Sequence, residues 1–185
     1  ARVDSRFLEP ACGTGNFLAE ILERKLKVVE TRYKKSQLDY ERYSLLAVSS
    51  IYGIDILEDN VKQCRERLLG IFVQRYSKNF KNSMQTDCIK SVEFILSKNI
   101  THGDTLTLMK VGTEQTPIVF SEWSAVNGSM IKRRDYTMAN LLESQPMEGL
   151  NLFSDLGDKA FIPTPVADYP LIHFLKLGDN DTAEL

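Results

Sequence analysis

Three short segments hold the residues best suited to chemistry. The first is Glu9-Pro10-Ala11-Cys12-Gly13-Thr14-Gly15-Asn16-Phe17. Its two glycines let the backbone pass close to a ligand with no Cβ in the way. Leu18 stands where a dinucleotide fingerprint places its third glycine, and no Gly-Lys-Ser/Thr follows, so a phosphate-binding P-loop is excluded. The second segment is Gly53-Ile54-Asp55-Ile56, and the third is Gly103-Asp104-Thr105-Leu106. An acid that ends a strand can accept hydrogen bonds from both hydroxyls of a ribose. Taken singly, each segment also has a plain structural reading. Gly13 and Gly15 suit a tight turn, Asp55 a helix cap, and Asp104 a turn.

The elements around these segments alternate. Arg6-Phe7-Leu8 is a short apolar entry into the glycine turn. A helix follows from Asn16 to about Tyr33, with Phe17, Ile21, Leu22, Val28 and Val29 near a 3.6-residue period. A second helix is expected over 38–50. Residues 51–56 read as a buried strand ending in Asp55. Helices are expected over 58–77, with Asp59 or Asn60 as cap, and over 87–97. Asn99 to His102 forms a strand running into Gly103-Asp104, and Pro117 to Phe120 forms a fourth. This order predicts an α/β fold with parallel strands and helical crossovers. Residues 126–185 lack clear periods and are expected to be an irregular C-terminal extension of unknown role. The division is therefore 1–125 and 126–185.

Taken whole, the first segment resembles the S-adenosylmethionine loop of the methyltransferases that modify adenine N6 in DNA, the restriction–modification type. The match runs through Glu9, Pro10, Ala11, Cys12, Gly13, Thr14, Gly15 and Phe17, with Asn16 inside it. Gly53 to Ile56 and Gly103 to Leu106 are similar to that family's second and third motifs, in order and spacing. The resemblance covers about residues 6–110. It implies a Rossmann-like methyltransferase sheet with flanking helices and S-adenosylmethionine as cofactor. It implies that Gly13 to Gly15 approach the methionine part. Glu9 would hold the loop or the methionine amine. Asp55 would take the ribose and Ile56 would pack on the adenine. Asp104 would accept from the adenine amine, with Thr105 beside it and Leu106 over the ring.

The same resemblance sets a demand on the acceptor side. The family places Asn/Asp/Ser-Pro-Pro-aromatic after its fourth strand, and no such tetrapeptide occurs here. Ser121-Glu122-Trp123-Ser124 occupies the matching place. Ser121 and Glu122 could accept a hydrogen bond from the amine, or Glu122 could act as a base, and Trp123 could stack on a flipped base. The other reading, which the missing prolines favour, makes Trp123 a core or interface residue. The implied partners are double-stranded DNA with a flipped target base, and a second subunit or missing segment carrying the catalytic and recognition parts. The chain opens on Ala1 rather than Met, which reads as a piece of a larger chain.

Composition narrows the alternatives. The chain has 185 residues, 43% hydrophobic and 26% charged, the balance of an ordinary globule. No run approaches the roughly 20 apolar residues of a membrane helix. No secretory signal is visible, so a cytoplasmic location is expected. The three scattered cysteines form neither a disulfide framework nor a CxxC pair, and with only two histidines no metal site is expected. Residues 1–110 carry 18 Lys/Arg against 14 Asp/Glu, while 111–185 carry 5 against 11. An acidic second part would repel phosphates. Lys132-Arg133-Arg134 is its one basic cluster, and a solvated loop suits it better than a phosphate contact. Two rival functions remain: a methyltransferase-like module that binds cofactor or a partner without transferring methyl, and methylation of a substrate other than DNA.

Overall fold

The computed structural model describes residues 2–143 and 163–179. The chain is a mixed α/β structure with a mixed sheet and flanking helices. Strands β1 (Phe7–Glu9), β2 (Ile51–Asp55) and β3 (Ile100–Asp104) lie side by side and parallel. Leu8 sits opposite Tyr52, and Ile54 opposite Thr101. A short β4 (Met109–Lys110) runs antiparallel to β3.

Each parallel connection is a pair of helices. α1 (Asn16–Tyr33) and α2 (Gln37–Ser49) lead from β1 to β2. α3 (Glu58–Phe80) and α4 (Thr86–Asn99) lead from β2 to β3. All four helices fall where the apolar spacing predicts them. In α1, Leu18, Leu22, Leu26 and Val29 are fully buried, and in α3 so are Cys64, Leu68, Phe72 and Tyr76. Both stripes keep steps of three or four residues, the period of one helical face. Ser36 caps α2 by accepting from Asp39 N at 3.3 Å. α3 differs from expectation. Its N-cap is Leu57, not Asp59 or Asn60, and no side chain serves it there.

Helix α1 lies close on β2 because Gly53 has no side chain. A Cβ on Gly53 would stand 2.9 Å from Leu18 Cδ1 and 3.0 Å from the Cys12 sulfur. On the other side of β2, Tyr52 and Ile54 pack with Ile118, Phe120 and Met138. Lys25 fastens the entry to β1. Its buried ammonium donates to Val3 O at 2.9 Å, to Ser50 Oγ at 2.6 Å and to Ser5 O. Three protons meet three acceptors, so the buried charge is satisfied.

The second part departs from expectation. The strand entered at Pro117 does not stop at Phe120. β5 spans Val119–Val126 and crosses the boundary drawn at 125/126. It does not join the parallel strands. It pairs antiparallel along its whole length with β6 (Met130–Thr137), and α5 (Met138–Glu143) follows. Short strands β7 (Ala167–Asp168) and β8 (Ile172–His173) add to β6, and a 3-10 turn closes at Phe174–Lys176. The expected irregular extension therefore begins inside a regular hairpin, and β6, β7 and β8 lie within it. Residues 144–162 and 180–185 of that extension lie outside the described residues.

The hairpin was hidden because its inward row is polar. Ser121, Arg133 and Asp135 are buried in the same row as the apolar Trp123 and Ile131, Ser121 opposite Asp135 and Trp123 opposite Arg133. Asp135 accepts from Arg133 at 2.9 and 2.7 Å, from Ser121 Oγ at 2.7 Å and from Tyr169 OH at 3.1 Å. The Arg133 guanidinium lies 3.9 Å from the Tyr169 ring centre. A two-residue period is present, but charge carries it rather than hydrophobicity. The Lys132-Arg133-Arg134 run is thus strand, not loop. Its flanking cations Lys132 and Arg134 pair with Asp168 at 2.6 and 3.6 Å. Among the described residues no helix is long and apolar enough to cross a membrane.

Candidate functional site

Three parallel neighbours end at the same edge of the sheet, so their carboxyl ends deliver the three sequence segments to one place. β1 ends at Glu9, β2 at Asp55 and β3 at Asp104. In open α/β sheets this is the edge where ligands bind.

The glycine loop follows β1 directly. Cys12 N donates to Ile54 O at 2.8 Å, which ties the loop to β2. Gly15 N donates to Cys12 O at 2.9 Å and closes the turn. Gly13 and Gly15 both take left-handed φ values, 53° and 83°. Their neighbourhoods differ. A Cβ on Gly15 would stand 2.6 Å from Cys64 Sγ, so Gly15 is packed against α3. A Cβ on Gly13 would meet nothing within 4 Å, so its backbone faces open space. Glu9 Oε1 accepts from Ala11 N at 3.4 Å, a long contact that keeps the acid beside the loop. Pro10 and Ala11 are exposed, and Thr14 is half-buried. Asn16 is exposed and its side chain accepts from Arg67 of α3.

Asp55 is the hub. Its Oδ2 accepts from Gly13 N at 2.8 Å. Its Oδ1 accepts from Leu57 N at 2.9 Å and from Asn60 Nδ2 at 3.0 Å. Burial works against the charged form. The hydrogen bonds from Leu57, Asn60 and Gly13 outweigh it and hold the carboxyl below its ordinary value. An ionised carboxylate has about four acceptor positions. Three are in use, so Asp55 holds the loop and keeps room for one more donor.

β3 completes the edge. Thr105 Oγ1 donates to Pro10 O at 2.7 Å, which joins the third segment to the first. Asp104 Oδ1 accepts from Leu106 N at 2.9 Å and rigidifies that turn. His102 Nε2 stands 3.0 Å from Ile56 O and fixes the residue after Asp55. Around the edge, large apolar side chains face outward: Phe17 at 55% exposure, Ile56 and Leu57 at 58%, Leu106 at 95%. These four side chains stand on or next to the three hydrogen-bonded loops that carry Glu9, Asp55 and Asp104.

Asn60, His102 and Cys64 support this edge and were not read from the sequence as site residues. Asn60 follows Asp55 by five positions, where its spacing suits a helix cap, and its side chain donates to Asp55 instead. His102 precedes Asp104 by two on the same strand face. Those spacings are legible, but the contacts they make are not. Cys64 carries no local signal at all.

Ser121, Glu122 and Trp123 lie elsewhere. They are inside β5, not after a strand. Trp123 is buried and its Nε1 donates to Asn99 Oδ1 at 2.9 Å. Asn99 ends α4 at the amino end of β3 and donates to Ser49 O and Ile51 O at the amino end of β2. Glu122 is paired at 2.7 Å with Arg6, the residue before β1. Ser121 Oγ donates to Asp135 and receives Arg133 Nε at 3.1 Å. All three therefore sit toward the amino ends of the parallel strands, away from the glycine loop. In this arrangement the Trp123 ring belongs to the core and has no free face for a base.

Among the described residues no group of three or more His, Cys, Asp or Glu is placed to hold a metal ion. Comparison of the chain with protein-family models, with curated proteins and with solved structures found no match to any of them.

Proposed function

We propose that the carboxyl edge of β1, β2 and β3 binds S-adenosylmethionine. On this reading the chain is the cofactor-binding part of a cytoplasmic DNA adenine-N6 methyltransferase of the restriction–modification kind, built on a Rossmann-like sheet. One observation carries the reading. The three motif-bearing segments, distant in sequence, meet at one strand edge and are tied by Gly13 N to Asp55 and by Thr105 to Pro10.

The residues fit the group. The open space over Gly13 admits the amino-acid end of the cofactor beside the backbone. Glu9 would stay with the loop or meet the methionine amine. Asp55 would offer its remaining acceptor position to a ribose hydroxyl. Asp104 would accept from the adenine amine, and the exposed Ile56 and Leu106 would cover the ring. When bound, S-adenosylmethionine supplies a methyl group carried on a sulfonium.

The acceptor side supports a narrower role for the described residues. Adenine N6 is a poor nucleophile and needs acceptors and a stacking aromatic close to the methyl. Ser121 and Trp123 are committed to buried partners at the opposite edge. This favours a second reading, in which the chain binds the cofactor and a second subunit or further segment supplies DNA recognition and catalysis.

The test is calorimetry with S-adenosylmethionine on the intact chain and on Asp55→Ala. The proposal expects saturable binding that the substitution abolishes. It fails if the intact chain does not bind. Transfer of labelled methyl to DNA, with and without a partner chain, then separates the two readings.

A further inference from the structure

We propose that the hollow between α2 and the tip of the β5–β6 hairpin binds a small aromatic carboxylate. This site shares no residue with the carboxyl edge of β1, β2 and β3, so it stands or falls apart from the cofactor reading.

Three elements meet there without filling the space between them. From α2 come Arg42, Tyr43 and Leu46, the first two about one turn before the third and so on its face. Ile131 of β6 and Phe174 of the 3-10 turn form the apolar walls, at 4% and 1% exposure. The hairpin turn adds little bulk, because Gly128 has no side chain and takes a left-handed φ of 67°. A Cβ on Gly128 would meet nothing within 4 Å. Phe174 N donates to Ser129 O at 2.9 Å and pins the turn in this position. The hollow measures about 170 Å³. An apolar cavity of about 150 Å³ takes up one benzene. The size therefore suits a single six-membered ring with a short substituent.

The lining indicates what that ring carries. Tyr43 is stacked on Tyr33, with ring centres 3.9 Å apart and planes 5° apart, so it presents a fixed aromatic wall. Aromatic walls gain from edge or offset contact with another ring. Arg42 is the one charged side chain in the lining among the described residues. Its contact with Asp39 is 3.4 Å long, against roughly 2.7–2.9 Å for a tight charge-assisted bond. Both partners are open to solvent, at 28% and 41%. A guanidinium offers its donors in a fixed fork that matches the two oxygens of a carboxylate. A carboxylate in the hollow can therefore take the fork in place of Asp39. A bare anion would leave the apolar walls unused, and a neutral ring would leave Arg42 unused. The ligand that satisfies both carries the carboxylate on the ring.

The experiment titrates the full ¹⁵N-labelled chain with sodium benzoate and follows the amide shifts by NMR, with sodium acetate and benzyl alcohol as the anion alone and the ring alone. The expected result is saturable benzoate binding with a Kd of about 1 mM, the scale open to so small a ligand. Its shifts should centre on Leu46, Ser129 and Ile131. Acetate and benzyl alcohol should each bind at least about tenfold more weakly. Arg42→Met keeps an apolar stem and should bring benzoate down to the level of benzyl alcohol. Ala125 is exposed and belongs to the lining, so Ala125→Phe adds a ring there and should abolish benzoate binding. Urea midpoints show whether each variant keeps the fold, and Arg42→Met decides the matter if Ala125→Phe does not. The proposal is overturned if benzoate does not saturate or if its shifts centre on Gly13 and Asp55. It is overturned equally if acetate or benzyl alcohol binds as tightly as benzoate, or if a folded Arg42→Met binds benzoate as the parent does.

Discussion

Gly15→Ala tests whether the glycine loop is shaped by packing against α3. Two costs follow from the geometry. The first is conformational, because Gly15 has a φ of 83°. A Cβ in the left-handed region costs roughly 1–2 kcal/mol. About 0.5–1 kcal/mol of that is offset because alanine has fewer unfolded conformations to lose. The second cost is steric. The new Cβ would lie 2.6 Å from Cys64 Sγ, 3.3 Å from its Cβ and 3.4 Å from its Cα. Overpacking of this kind costs about 1–3 kcal/mol. The expected loss is about 1–4.5 kcal/mol. Cys64→Ala removes the sulfur and separates the two terms. Alone it loses about 1 kcal/mol of packing. In the double variant the steric term shrinks while the strain remains, so the two changes should couple favourably by about 1–2 kcal/mol. Urea unfolding followed by the fluorescence of Trp123, the single tryptophan, reads all four proteins. The reasoning is refuted if Gly15→Ala loses less than about 0.5 kcal/mol, or if the cycle is additive within that margin.

Asp55→Asn removes an acceptor from the hub and should cost about 1–3 kcal/mol in unfolding free energy. The native carboxyl is held below the ordinary aspartate value of 3.8. Its contribution is therefore present above that value and lost as pH falls through the lower folded one. Unfolding curves from pH 6 to 2 should show a shallower acid loss in Asp55→Asn, and an unchanged slope would contradict the assignment. Trp123→Phe leaves the buried Asn99 oxygen without its donor and should destabilise by about 1–3 kcal/mol. Because Trp123 lies at the far edge, S-adenosylmethionine binding at a temperature where the variant is folded should not change. Thr105→Val cuts the tie to Pro10 and should weaken that binding about five- to tenfold with little change in unfolding midpoint. A midpoint drop with unchanged affinity would make the tie structural only.

Much of the carboxyl edge of β1, β2 and β3 was legible in the sequence. The apolar periods of α1 and α3 and the strand expected over 51–56 place these elements, because each depends on residues a few positions apart, although the strand ends at Asp55 and α3 runs on from the expected 77 to Phe80. The polar inward row of β5 and β6 was not legible. Ser121, Arg133 and Asp135 satisfy one another only after the hairpin forms, so their burial has no local hydrophobic signature. Reading strand ends from apolar runs therefore stopped the strand at Phe120. It left Ser121 to Trp123 as a free segment, when they are the middle of a strand.

By itself the sequence determined the segments that could meet a ligand, the order of the helices and strands, and the left-handed turn that Gly13 and Gly15 permit. These follow from residue type and short spacing. Only the tertiary structure decided which segments share an edge. Parallel pairing aligns the carboxyl ends of β1, β2 and β3, so Glu9, Asp55 and Asp104 converge although more than forty positions separate each from the next. The same pairing sets Asn99 at the amino ends. Its hydrogen bonds to Ile51 O and from Trp123 hold the expected stacking residue in the core. Direction of pairing is a long-range property, and no local pattern of residues encodes it.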